Sequence, residues 1–191
     1  MRKVIQSTLM SLDGVVDDVS TWGRAYFDLA WWKSSLQAIE ACDALLLGRN
    51  TYEMLAARTQ ALLAAGGNAP SPSPDQAYGR QLEAIRKYVF SSTLEKADWK
   101  NSVLVRADVA AEVAKLKRED GKDLMIYGHG PLGQALLDHD LLDEVHFAIH
   151  PVIVGRGRVA LRDGLQAQLE LIESRTLANG VVVVSYRPVR A

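Results

Sequence analysis

The apolar positions along the chain switch between two periods. Residues 3–10 (KVIQSTLM) alternate as an opening strand and run into Ser11-Leu12-Asp13-Gly14, where Asp-Gly signals a turn. A polar, loop-like stretch follows to about Arg24. From Tyr26 to Ala41, Phe27, Trp31, Ala38 and Ile39, with Leu36 beside them, form a helical stripe that ends at Cys42. Ala44–Leu47 is a short apolar run between Asp43 and Gly48, which predicts a buried strand. A helix is expected from near Asn50 to Gly66-Gly67, with Asn50 as its cap and Glu53 completing a capping box. Residues 65–75 (AGGNAPSPSPD) carry three alternate prolines and read as an exposed, extended insertion inside one domain spanning 1–191.

Beyond it, Tyr88–Ser91 and Val103–Val105 read as strands and Val109–Glu119 as an amphipathic helix. Leu124–Tyr127 predicts a strand, Pro131–Leu137 a helix with proline in its first turn, and Glu144–Ile149 a strand. Gln168–Thr176 and Val181–Tyr186 flank Asn179-Gly180, the strongest short-range hairpin signal. The order predicts an α/β fold with a mostly parallel sheet and an antiparallel C-terminal end.

Charge narrows the function. The 22 Lys+Arg and 23 Asp+Glu residues give a formal net charge of −1, without the basic excess of a non-specific nucleic-acid binder. One cysteine, Cys42, excludes an intrachain disulfide framework and a Cys-rich zinc site, and is expected to be a buried structural thiol. No run approaches the ~18 apolar residues of a membrane helix, and the opening strand lacks a signal-peptide core. A cytoplasmic protein with neither membrane nor nucleic-acid partner is expected. His146 and His150 on one strand stand roughly 13 Å apart at ~3.3 Å per residue, too far to share a metal, so no metal site is expected.

Three strand-to-helix or strand-to-loop junctions carry candidate chemistry. Gly128-His129-Gly130-Pro131-Leu132-Gly133 has the local form of a dinucleotide fingerprint, in which glycines admit a pyrophosphate to a helix N-terminus. It lies late in the chain and lacks the acidic residue wanted about 20 positions on, so a full Rossmann domain is not expected. Alone it serves equally as a tight turn. Gly48-Arg49-Asn50-Thr51 puts a guanidinium, an amide and a hydroxyl at another helix start, although a capped helix with Arg49 paired to a surface carboxylate accounts for it too. Ser91-Ser92-Thr93 adds hydroxyls at a third strand end. All three fall at strand C-termini, hence on one sheet edge, and their agreement points to a bound dinucleotide. Asp28, beside Trp31 and Trp32, is a candidate proton donor or heterocycle grip, or a partner of the helix dipole. Asp13 serves equally as a turn residue.

The run Leu47-Gly48-Arg49-Asn50-Thr51-Tyr52-Glu53 resembles the Gly-Arg-x-Thr-Trp/Tyr-Glu motif of dihydrofolate reductases. Phe90-Ser91-Ser92 resembles their Leu-Ser-Ser strand end, and Gly128-His129-Gly130 their Gly-Gly turn, with His129 in place of the second glycine. Asp28-Leu29-Ala30-Trp31-Trp32-Lys33 resembles their active-site helix. Ser11-Leu12-Asp13-Gly14 and residues 128–157 are similar to the reductase domain of riboflavin-biosynthesis deaminase-reductases. The resemblance implies a three-layer dihydrofolate reductase-like fold with helices on both faces of the sheet, and NADPH as cofactor. It implies a heterocyclic pterin or pyrimidine substrate, as for a 5-amino-6-ribosylaminouracil phosphate reductase, and a homodimer. No zinc-binding Cys/His set precedes the reductase-like region, so a stand-alone reductase is expected. True dihydrofolate reductase activity and a non-catalytic NADP-binding or assembly protein are the alternatives.

By that resemblance Gly48, Arg49, Asn50 and Thr51 hold cofactor phosphate, and Ser91 and Ser92 lie near the adenosine 2′-phosphate. Gly128, His129, Gly130, Pro131 and Leu132 line the pyrophosphate and nicotinamide. Asp28 is the catalytic candidate, with Thr8, Met10, Asp13 and Trp31 facing the substrate.

Overall fold

The computed structural model describes residues 1–66, 73–128, 130–161 and 166–189. Eight strands form one sheet: β1 (Val4–Ser11), β2 (Cys42–Gly48), β3 (Arg86–Phe90), β4 (Ser102–Val105), β5 (Asp123–Tyr127), β6 (Glu144–His150), β7 (Leu169–Thr176) and β8 (Val182–Pro188). Their spatial order is β4-β3-β2-β5-β1-β6-β8-β7. The first six are mutually parallel, β8 is antiparallel to β6, and β7 returns antiparallel to β8. The helices are α1 (Val19–Trp22), α2 (Leu29–Glu40), α3 (Arg49–Gly66), α4 (Pro74–Ala84), α5 (Val109–Arg118) and α6 (Pro131–Asp138).

The continuous apolar runs of the central strands follow from a sheet covered on both faces. On β2, Ala44 and Leu46 join Leu124 and Ile126 of β5, Leu116 of α5 and Leu136 of α6 in one buried layer. The alternate residues Leu45 and Leu47 point the other way, with Met125, into a second layer closed by Ile39 of α2, Leu55 of α3 and Leu82 of α4. This two-sided burial gives the α/β fold that the pattern predicts, in the three-layer form that the resemblance implies. The expected hairpin is present, with Gly180 at φ +85° and its N–H on the carbonyl of Leu177 at 2.9 Å.

Several local expectations are corrected. The loop assigned to 65–75 ends earlier, because Pro74 is the first residue of α4. Ser73 and Gln76 form a capping box there, and proline is well tolerated where the N–H needs no partner. The rest of that segment, 67–72, lies outside the described residues. Cys42 is buried at the start of β2 rather than at a helix end, and burial pushes its thiol up to about 11. α2 begins at Leu29, while Tyr26 belongs to a separate 3₁₀ turn, Arg24–Tyr26. The polar stretch after β1 is held down by aromatic rings: Trp22, Tyr26 and Trp31 pack 5.2, 5.5 and 5.3 Å from the buried imidazole of His150.

Candidate active site

The C-terminal ends of β2, β3 and β5 share one edge of the sheet, and each leads into a turn whose polar groups face one cavity of about 1110 Å³. At the first turn α3 starts at Arg49, so Asn50 sits inside the helix and does not cap it. Glu53 binds the Arg49 Nε at 2.9 Å instead of closing a capping box. Arg49 Nη1 donates to Thr93 Oγ1 at 3.2 Å, tying the start of α3 to the loop after β3. In that loop Ser91 Oγ accepts the N–H groups of Thr93 and Leu94 at 3.3 and 3.0 Å. Arg106, just past β4, clamps the same loop through the carbonyls of Ser92 and Leu94 at 2.9 and 2.7 Å, and itself lines the cavity.

The third turn follows β5. Gly128 adopts φ +80°, a conformation that favours glycine, and its N–H donates to Ser7 of β1 at 2.8 Å. Gly130 caps α6 with extended backbone and no side-chain bond, Pro131 takes the first helical position, and Leu132 follows. The first-turn N–H groups of α6 thus meet the cavity as donors at the positive end of the helix. A Cβ added at Gly48 or Gly130 would find no atom within 4 Å. Both backbones are therefore open to a ligand. His129 lies outside the described residues.

Two helix faces form the facing wall. Trp31, Ser34, Ser35 and Ala38 of α2, and Thr51, Met54, Leu55 and Arg58 of α3, each repeat at i, i+3, i+4 and i+7. Trp31 and Thr8 both line the cavity and are nearly inaccessible; Thr8 Oγ1 accepts from Gln6 Nε2 at 3.2 Å. Tyr78 and Tyr127 join their hydroxyls at 3.1 Å on the same wall, and burial pushes both phenols up, so they stay neutral.

The remaining candidates lie elsewhere. Asp28 is the N-cap of α2: its Oδ1 accepts the Trp31 N–H at 2.9 Å and the Asn179 amide at 3.2 Å, and its exposed side chain is not part of the cavity wall. Both bonds engage Oδ1, and the flanking Phe27, Trp31 and Trp32 do line the cavity. Met10 packs into the core under α5 and α6, and its carbonyl accepts from His150 Nδ1 at 3.3 Å. Asp13 organises the loop after β6, accepting from Ser11 Oγ at 2.6 Å and from the N–H groups of Val154 and Gly155 at 3.1 and 2.7 Å. These three donors, led by the Ser11 hydroxyl, hold its carboxyl down at about 2. Asp13 is a turn residue outside the cavity lining.

Arg58 and Arg106 escape the sequence reading. Arg58 was signalled only by its place seven residues after Thr51 on the same helical face, and Arg106 by its place just past a strand end on the ligand edge. The Asp17–Arg158 pair, 3.1 Å between Arg158 Nη2 and Asp17 Oδ1, also lines the cavity.

Known proteins are similar to nearly the whole of this chain. YyaP of Bacillus subtilis (strain 168), an uncharacterized protein, is 26% identical over 192 residues, covering 97% of this chain and 94% of its own. A crystal structure from Shewanella sp. PV-4, provisionally named a riboflavin biosynthesis protein, superposes with a TM-score of 0.69 at 21% identity, covering 98% of this chain and 99% of that one. The Thermotoga maritima diaminohydroxyphosphoribosylaminopyrimidine deaminase/5-amino-6-(5-phosphoribosylamino)uracil reductase superposes at 0.63 with 18% identity, over 98% of this chain but 57% of the bifunctional chain. These likenesses show that the chain shares the fold of those structures. Matched by the family model over residues 2–183, the chain belongs to the RibD C-terminal domain family.

Proposed function

We propose that the protein is an NADPH-dependent reductase of a pterin- or pyrimidine-type heterocycle, of the kind that acts on 5-amino-6-ribosylaminouracil phosphate. The observation that carries this reading is the convergence of Arg49, Ser91 and Gly130, from three separate strand ends, on one cavity faced by aromatic residues of α2. Its volume exceeds the ~300–1,000 Å³ usual for one small ligand, as a cofactor and substrate lying together require.

The residues fit the cofactor. Gly48, Arg49, Asn50 and Thr51 would hold phosphate, with Arg49 Nη2 left unengaged by the bonds to Glu53 and Thr93. Ser91 and Ser92 would meet the adenosine 2′-phosphate, and Gly128, Gly130, Pro131 and Leu132 the pyrophosphate and nicotinamide. When bound, NADPH supplies the hydride. The chain's own share is to orient the substrate ring against Trp31 and Thr8 and to keep water from it. Among the described residues, the cavity face of α2 carries tryptophan, serine and alanine and no carboxylate, which favours the riboflavin-type reductase over a true dihydrofolate reductase.

The same reading takes the protein as a homodimer. Every residue of edge strand β7 is exposed, including Leu169, Leu171 and Ile172, and an uncovered apolar edge is a pairing surface. Titration with NADPH followed by nicotinamide fluorescence tests the cofactor, and loss of NADPH absorbance with the ribosylaminopyrimidine phosphate or dihydrofolate tests the reaction. Saturable binding followed by oxidation with the pyrimidine is the expected result. Binding without oxidation by either compound leaves a nucleotide-binding protein, and no NADPH binding ends the proposal.

A further inference from the structure

One row across the face of the sheet turned toward α2 is polar throughout. Tyr127 of β5 pairs in register with Ser7 of β1, Ser7 with His146 of β6, and His146 with Ser185 of β8. The next row on that face toward the ligand edge, Leu9, Ala148 and Val183, is apolar. Tyr127, Ser7 and His146 all line the cavity, as do Ser34 and Ser35 of α2. Polar groups on a covered sheet face need partners, and Tyr127 finds one in the hydroxyl of Tyr78.

His146 finds half of its own. Its Nε2 lies 2.9 Å from Glu144 Oε2, and Lys3 Nζ donates to the other carboxylate oxygen, Glu144 Oε1, at 2.8 Å. Burial alone would push the Glu144 carboxyl up, but the bonds from Lys3 and His146 outweigh it and hold the group below the ordinary 4.5. An ionised carboxylate can only accept, so Nε2 carries the proton in that bond. Nδ1 is then the nitrogen left for a ligand: no group among the described residues bonds it, and the side chain is 28% exposed on the cavity wall.

The surrounding charges pull in opposite directions. Glu144 answers the charge of an imidazolium in direct contact. Lys3 of β1, Arg187 of β8 within electrostatic reach of Lys3, and Arg175 of β7 on the cavity wall oppose it from farther off. The cavity face of α2 adds no charge. A ligand at Nδ1 can therefore decide the state of the ring. Its position favours a heterocycle. The Ser7 carbonyl accepts from Gly128 N–H, so β1 lies between His146 and the turn after β5. Two strand spacings, about 10 Å, separate their backbones, and a ligand ring over Ser7 lies between them. We infer that the imidazolium of His146, oriented by Glu144, recognises a heterocycle by donating from Nδ1 to a carbonyl oxygen or ring nitrogen on its edge. This rests on the reductase reading for the identity of the heterocycle, though not for the site.

If the ligand favours the protonated ring, binding takes up a proton by reciprocity. The test is calorimetric titration with the dephosphorylated ribosylaminopyrimidine, which has no phosphate to titrate, and with dihydrofolate. Each is run from pH 6 to 8 in pairs of buffers that differ in ionisation enthalpy. For at least one compound the wild-type protein should take up a fraction of a proton, at most one, and lose affinity as pH rises. His146→Gln keeps a neutral donor of similar size; its uptake should vanish, its pH dependence flatten, and its affinity at pH 6 fall by roughly 10-fold, the difference between a charged and a neutral bond. Glu144→Gln should move the pH dependence to lower pH, because the imidazolium has lost its counter-charge. Uptake that is the same in wild type and His146→Gln overturns the inference, as do a pH dependence that Glu144→Gln does not move and a wild-type protein that binds neither compound. NADPH titration of the same proteins judges the reductase reading separately. NADPH oxidation with no His146-linked uptake keeps that reading and removes the site, whereas His146-linked uptake without NADPH binding keeps the site and removes the reading.

Discussion

Replacing Arg49 with alanine separates folding from cofactor recognition. The Arg49 guanidinium is 49% exposed and its partner Glu53 is 47% exposed, so this i,i+4 pair stabilises the fold by at most ~1 kcal/mol. The bond to Thr93 is likewise exposed. Melting temperature should therefore fall by no more than about 2–4 °C in a domain of this size. On the ligand side, a charge-assisted bond to phosphate is worth about 1.5–3 kcal/mol, or roughly 10- to 100-fold in Kd. If the guanidinium meets the 2′-phosphate, Arg49→Ala weakens NADPH by that factor and leaves NADH within about twofold. Calorimetric titration of both nucleotides at one fixed salt concentration gives the comparison, since screening alters such contacts. Equal losses would move Arg49 to the pyrophosphate. An unchanged Kd for both would remove it from the cofactor site and break the convergence on which the proposed function depends.

Other substitutions probe the surrounding structure. Gly128→Ala places a side chain at φ +80° and should destabilise the protein by ~1–2 kcal/mol from strain alone, since the new Cβ comes only as close as 4.0 Å to Thr51 Oγ1; an unchanged melting temperature would refute the strain. The Asp13 carboxyl has its pKa lowered from 3.8 to about 2, so its stabilising effect is complete above pH ~4 and lost as pH falls toward 2. Asp13→Asn should therefore flatten the acid limb of the stability curve in that window, and an identical limb in denaturant titrations would count against the loop-anchoring role. Asp28→Ala removes a helix cap and should lower stability by ~1 kcal/mol while leaving turnover within about twofold. A hundredfold fall in kcat at unchanged melting temperature would return Asp28 to catalysis.

The legible parts of the fold were those in which local pattern and burial agree. β2 reads as a buried strand because its apolar run is short and bounded by Asp43 and Gly48, and Leu45, Leu46 and Leu47 then alternate between two covered faces. The hairpin at Asn179-Gly180 reads from chemistry that acts within a few residues. α4 was hidden because its buried residues, Tyr78, Gly79 and Leu82, make too thin an apolar stripe and its first residue belongs to a proline run. The segment after β1 was hidden because its order comes from rings that close around His150, a residue more than a hundred positions away.

The site divides along the same line. Gly48, Arg49, Ser91 and Gly130 were readable because turns at strand ends declare themselves locally, and parallel strands must then present those ends together. Arg58 and Arg106 depend on what the other elements leave around them, aromatic rings in one case and a loop of carbonyls in the other. Asp28 shows where one residue type serves two readings. An aspartate before an aromatic helix satisfies two demands with one residue type, a carboxylate near a heterocycle and an acceptor for the first free N–H groups of the helix. Sequence cannot separate these, because both put the acid at the same position. The contacts show the capping role: Asp28 accepts from Trp31 N–H on its own helix and from Asn179 in the hairpin turn. Its carboxylate thereby joins the start of α2, through the backbone N–H of the cavity-lining Trp31, to the C-terminal hairpin.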